Sequence, residues 1–254
     1  QYYILLIKKA GRKAISKHMP SSDDLQLAFL QKLPFKLGHD QETCLKEINA
    51  DLKSPYPMNR LLQGDVGSGK TVVALASAMT VIASNRQVAI MVPTEILAQQ
   101  HFETASKLLP EKIRIALITG NMTQKEKNRL YADISEGMID LVIGTHALIQ
   151  TGVKFYDLGY IIIDEQHRFG VEQRAKLRTK GSIPDLLVMT ATPIPRSLSM
   201  TFYGDLDVSS IREKPVARLP VKTMAFPESR LKGVYNSMRN YIDQGRQVYY
   251  VLPV

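Results

Sequence analysis

Apolar residues along this chain gather in short unbroken runs, separated by longer stretches with the mixed pattern of half-buried helices. Residues 60–63, 88–92, 113–118, 140–143, 160–164, 186–189 and 208–211 read as strands. The three consecutive isoleucines at 161–163 require burial on both faces, as in a central strand of a parallel sheet. Between the strands, residues 72–83, 95–108 and 124–135 read as helices. Upstream, residues 1–33 look helical and basic, with Ser21 or Ser22 capping a helix that continues to Leu33. Residues 40–53 form another helix, stopped by Ser54-Pro55-Tyr56-Pro57. Alternation of this length predicts an α/β fold built on a doubly wound parallel sheet. Right-handed crossovers then place the functional loops on one edge. Across 212–220, two prolines and four charges suggest a linker, followed by a strand (221–226), a helix (228–244) and a strand (247–252).

Composition narrows the partners more than the fold. The 254 residues are 44% hydrophobic, enough for one large core with small extensions. Lys plus Arg number 33 against 24 Asp plus Glu, a net charge of +9 that favours a polyanionic partner such as nucleic acid. The basic run KKAGRK at 8–13 could touch DNA or be a solvated helix face. A single cysteine, Cys44, excludes an intrachain disulfide and suits a reducing cytosol. The apolar run at 2–7 is far too short to span a membrane, and its positive charges follow it. The chain starts without methionine and ends on a strand-like stretch, so it is expected to be a piece of a longer protein.

The chemistry concentrates in two segments. Residues 64–71, GDVGSGKT, satisfy the phosphate-loop pattern G-x-x-x-x-G-K-[ST] between a strand and a helix. Gly64, Gly67 and Gly69 let the backbone of Asp65, Val66 and Ser68 wrap a phosphate, and the helix N-terminus favours its charge. Lys70 can reach the β- and γ-phosphates of ATP, and the Thr71 hydroxyl can ligate Mg²⁺. The bland alternative is a glycine-rich turn with a chance lysine. The second segment is LGYIIIDEQHR, 158–168, a strand ending on two carboxylates where ligands bind in open α/β sheets. Asp164 can hold Mg²⁺ and Glu165 can deprotonate the attacking water; alone, the pair could simply solvate a sheet edge.

Five segments in order, GDVGSGKT, PTEILAQQH (93–101), GTHAL (144–148), DEQHRFGVEQR (164–174) and TATPIPR (190–196), resemble the motif series of superfamily 2 helicases. The wording is most similar to the RecG family of bacterial ATP-dependent DNA helicases. The related Mfd family of duplex translocases usually reads DEEQRFGV where this chain has DEQHRFGV. The resemblance covers about 33–254. It implies a RecA-like, P-loop NTPase fold with three parts: a helical extension (1–33), a first ATP-binding motor domain (34–213), and a linker with the truncated start of a second motor domain (214–254).

Further roles follow from the resemblance alone. Gln41 would read the adenine edge, and Phe35 would stack on the base or pack beneath it. Thr94, Glu95, Thr145 and His146 would line the DNA track, although capping alone explains Thr94 equally well. Gln166, His167, Thr190, Thr192 and Arg196 would couple the γ-phosphate state to the grip on DNA. Arg168, Gln173 and Arg174 fit a coupling patch or a solvated helix face. The implied partners are forked or branched DNA, held through its backbone, and a second motor domain supplying an arginine finger. The implied setting is a monomer in the bacterial cytoplasm, at the nucleoid. A chain lacking the second domain is expected to bind nucleotide but hydrolyse it poorly. A metabolic P-loop kinase would explain GDVGSGKT but not TATPIPR, and a non-catalytic nucleotide-binding domain would not need Lys70 and Glu165.

Overall fold

The computed structural model describes residues 24–149, 152–164, 184–191, 206–213 and 223–251. The chain divides into two compact units, 1–215 and 216–254.

In the larger unit the described strands are β1 (Asn59–Gly64), β2 (Gln87–Met91), β3 (Ile115–Ile118), β4 (Leu141–Gly144), β5 (Leu158–Asp164), β6 (Asp185–Thr190) and β7 (Asp207–Ile211). They pair in the order β3-β4-β2-β5-β6-β1-β7, and every pairing is parallel. Parallel neighbours need crossovers, and helices α1 (Asp24–Lys32), α2 (His39–Leu52), α3 (Lys70–Ala83), α4 (Glu95–Leu108) and α5 (Gln124–Ser135) supply them or cover the sheet. Alternate strand residues face two separate cores. Leu62, Ile90, Ile162 and Leu187 pack with Phe29, Ile48 and Met79 from the helices on one face. Leu61, Met91, Ile161, Ile163 and Val188 pack with Ile134 and Leu148 on the other. Ile161, Ile162 and Ile163 are all fully buried, as their unbroken run predicts.

Buried polar groups are paired where helices meet. The Gln26 amide donates to the Ala76 carbonyl (2.8 Å) and to the Thr80 hydroxyl (3.1 Å), fastening α1 to α3. Arg60, on β1, donates to Asp51 (2.8 Å) and Glu47 (3.2 Å) of α2 and to Ser209 (2.8 Å) of β7.

Two boundaries move inward or outward for clear reasons. Helix α3 starts at Lys70 rather than 72, because Gly69 caps it and accepts from the amides of Val72 and Val73. Strand β3 starts at Ile115 rather than 113, because Ile113 closes a turn onto Pro110.

In the smaller unit a 3-10 turn (Glu228–Arg230) leads into α6 (Leu231–Asp243), close to the helix expected over 228–244. The strands expected at 221–226 and 247–252 do not form over their described residues, 223–226 and 247–251. A strand exists only through a partner, and among the described residues Phe226, Tyr249 and Val251 stand exposed with no neighbouring ladder to join.

Candidate active site

The phosphate loop grows directly from the carboxyl end of β1. Gly64 closes the strand, the chain turns through Asp65–Ser68, and α3 begins at Lys70. Gly67 (φ +77°) and Gly69 (φ +86°) occupy the left-handed region, where a Cβ is costly. At Gly69 a Cβ would also lie 2.2 Å from the Gln41 amide nitrogen, so a side chain there would displace Gln41 as well as strain the backbone. The Lys70 Nζ donates to the carbonyls of Gly64 (2.7 Å) and Asp65 (3.0 Å), folded over its own loop. The Ser68 hydroxyl is buried without a hydrogen-bond partner inside this turn. Positive-φ glycines, a helix N-terminus, a lysine and the Thr71 hydroxyl form a donor set suited to a polyphosphate and its Mg²⁺.

The start of α2 links this loop to the end of the sheet. Gln41 accepts from the Gly38 amide (2.9 Å) and donates to the Ser68 carbonyl (2.8 Å), so this predicted adenine reader does sit against the loop. Phe35 lines a groove between α1 and α2 with Leu30, Leu37 and Leu45, half exposed. Beside Gln41, the Asp40 carboxylate accepts the amides of Arg212 (2.8 Å) and Glu213 (3.0 Å), where the chain leaves β7. Those two backbone donors hold the Asp40 carboxyl below its ordinary range. The clasp is therefore at full strength above the ordinary carboxylate pKa and is lost as pH falls through the lowered value. Asp40→Ala should lower the hydrogen-exchange protection of the Arg212 and Glu213 amides at neutral pH, and wild-type protection should fall to the variant's as pH drops through the lowered Asp40 value. Unchanged protection in the variant would show that the clasp does not hold the exit.

Strand β5 brings Asp164 to the same edge. Between β5 and β1 runs β6, whose Met189 pairs with Asp164 and whose Thr190 pairs with Gln63. Two strand spacings, about 10 Å, separate the carboxylate strand from the phosphate-loop strand, and Thr190 stands between them. Among the described residues no group of three or more His, Cys, Asp or Glu forms a metal site. Mg²⁺ held by one carboxylate, a hydroxyl and phosphates does not require one.

The sequence reading missed a contact at this point. His101 Nε2 stands 2.9 Å from Asp164 Oδ2, with both side chains largely buried. The signal was present, because His101 shares the buried stripe of α4 with Ala98 and Ala105, and a polar group on such a stripe needs a partner.

The predicted DNA-facing residues gather at neighbouring strand ends. The Thr94 hydroxyl accepts from the Leu97 amide (3.3 Å) and caps α4. The Val92 amide donates to the Gly144 carbonyl (3.0 Å), which sets the loop carrying Thr94 beside Thr145 and the exposed His146. Glu95 is engaged differently: its carboxylate accepts the Gly120 amide (2.6 Å) and the Asn121 side-chain amide (3.3 Å), tying down the loop after β3. Glu165, Gln166, His167, Thr192 and Arg196 lie outside the described residues.

This arrangement has known counterparts. The model of the DEAD/DEAH box helicase family matches residues 39–201. The chain belongs to the DEAD/DEAH box helicase family. Membership implies nucleotide use, and the parallel sheet with its phosphate loop is a RecA-like motor fold. The chain is 47% identical to the ATP-dependent DNA helicase RecG of Aquifex aeolicus (strain VF5) over 257 residues, covering 100% of this chain and 32% of that protein. It is 52% identical over 222 residues to the protein of the same name from Streptococcus pneumoniae serotype 4, covering 87% of this chain and 33% of the relative. The solved structure of RecG bound to a three-way DNA junction superposes with a TM-score of 0.88 at 44% identity, over 99% of this chain and 34% of that one. The chain thus spans about a third of the length of these relatives. The helicase MrfA, at 18% identity and a TM-score of 0.58, shares the fold. Among the described residues no helix is long and apolar enough to cross a membrane.

Proposed function

We propose that this chain is the first motor unit of a RecG-type ATP-dependent DNA helicase. Residues 34–213 would form that unit, 1–33 a helical extension, and 214–254 the linker and start of a second motor domain. The observation that carries this reading is the shared edge. The phosphate loop, Asp164, Thr94 and Thr145 all stand at carboxyl ends of one parallel sheet. The strong likeness to RecG bound to a branched junction supports branched or forked DNA as the substrate. Holliday junctions and stalled forks in recombination and repair are the natural instances, at the bacterial nucleoid, with the protein acting as a monomer.

In this reading Lys70 neutralises the β- and γ-phosphates, and the amides at the start of α3 hold them in place. Thr71 and Asp164 hold Mg²⁺, which when bound disperses the charge of the phosphates. Glu165 orients and deprotonates water, and Gln41 reads the adenine edge. Thr94, Thr145 and His146 hold DNA phosphates, so binding carries little base information and weakens steeply with salt. Thr190, Thr192, Gln166, His167 and Arg196 connect the two events. Glu95 acts on DNA by positioning the Gly120–Asn121 loop, since a carboxylate repels phosphate. The net charge of +9 agrees with a polyanionic partner.

The test is ATP turnover with and without branched DNA, for the 254-residue chain and for a version joined to a second motor domain. The short chain should bind nucleotide and turn over slowly. The joined form should show DNA-stimulated turnover, faster by a factor of order 10³ through the added arginine finger. Strong DNA-independent turnover by the short chain would instead mean a self-contained NTPase and would overturn the helicase reading.

A further inference from the structure

We infer that His101 is a positioning residue for the magnesium-binding carboxylate, an inference that rests on the proposed role of Asp164. Its ring comes from α4, not from the strand or loops of the nucleotide site, and it meets Asp164 across the sheet edge at 2.9 Å. Both side chains are screened from water, at 9% and 14% exposure, so water competes little for this bond. An ionised carboxylate only accepts hydrogen bonds, so the ring nitrogen donates. The donation occupies one side of the carboxylate and fixes its rotamer about the end of β5.

The support behind His101 is rigid. Ala98 and Ala105, one turn away on either side, are fully buried against the sheet. Thr94 caps the helix N-terminus, and the Leu109 amide closes its last turn onto Ala105 at 2.8 Å. Seven residues, about 10 Å of helix, separate the capped end from the ring. The helix that carries the predicted DNA-facing cap therefore also holds the carboxylate on the metal side. A bond of this kind, from a second residue onto a metal-ligating group, commonly changes metal affinity 10- to 100-fold when removed.

Mg²⁺ titrations of fluorescent ATP-analogue binding, run on the 254-residue chain, separate the possibilities. His101→Phe keeps a ring of similar size and removes the donor; it should raise the half-saturating Mg²⁺ concentration about 10-fold. His101→Gln, which returns an N–H near the position of Nε2, should restore the wild-type requirement. Nucleotide binding in excess EDTA should stay at the wild-type value in both. Asp164→Asn serves as the reference and should raise the Mg²⁺ requirement at least as far as His101→Phe. If Asp164→Asn does so while His101→Phe matches wild type, the inference is overturned and the site reading stands. If Asp164→Asn leaves the requirement unchanged, the magnesium role of Asp164 itself fails. Equal losses in His101→Gln and His101→Phe, or weaker binding in EDTA as well, would show that the ring packs rather than positions. Should His101→Phe not fold, His101→Met offers a flexible apolar side chain without a donor and is read by the same criteria.

Discussion

Lys70→Ala should reduce ATP turnover by about 10²- to 10³-fold in the chain joined to a second motor domain, with DNA present. That loss corresponds to about 3–4 kcal/mol of transition-state stabilisation, the size expected when one charged donor aimed at developing negative charge is removed. The ammonium lies at the mouth of the loop and bonds to the carbonyls of Gly64 and Asp65. Those carbonyls are poor substitutes for a triphosphate carrying several negative charges, so the amine would exchange them for phosphate oxygens. Alanine is a strong helix former at this first position of α3, and Lys70 is only half buried, so the fold should tolerate the change. Thermal unfolding within a few degrees of wild type, together with lost turnover, is the expected pair of results. Retained turnover would mean that Lys70 does not act on the phosphates and would remove the main support for the ATP site.

The phosphate loop was legible because its spacing states a backbone problem and its solution together. Gly67 and Gly69 do adopt the conformations that glycine alone takes without cost. The interior strands β2, β4, β5 and β6 were legible because their apolar runs are buried on both faces, and 161–163 left no other reading. What local pattern could not contain was the order of strands. Nothing in the sequence of β6 says that it inserts between β5 and β1 and so sets the separation of Asp164 from the loop. The roles of His101 and Glu95 are non-local in the same sense: their partners are 63 and 25 residues away. Glu95 reads as part of a DNA-facing motif until its carboxylate is seen holding Gly120. Phe35 has the residue type of a base-stacking platform, but its place is set by how α1 meets α2. The strands expected at 221–226 and 247–252 do not form over their described residues, 223–226 and 247–251, for the converse reason, since apolar character permits a strand but only a partner completes it.

Ile162→Ala should destabilise the larger unit by about 2–5 kcal/mol, and Ile162→Val by about 0.5–1.5 kcal/mol. Ile162 lies in the middle of β5, fully buried, in register with Ile90 on β2 and Leu187 on β6. Both neighbouring strands are themselves interior to the sheet, so the backbone around the truncated side chain has little room to collapse. The cost should therefore fall towards the upper end of the range, a substantial share of a typical domain's total stability. Urea unfolding of the two variants against wild type measures it, through a shift in midpoint at constant slope. The site is coupled to this core, because Asp164 ends the same strand two residues later. A strand that shifts to fill the cavity would carry the carboxylate away from the 2.9 Å contact with His101. Ile162→Ala should thus also raise the Mg²⁺ concentration needed for nucleotide binding, although it touches neither metal nor nucleotide. A variant that loses stability while keeping the wild-type Mg²⁺ requirement would show that α4, through His101, holds Asp164 in place independently of the packing beneath it.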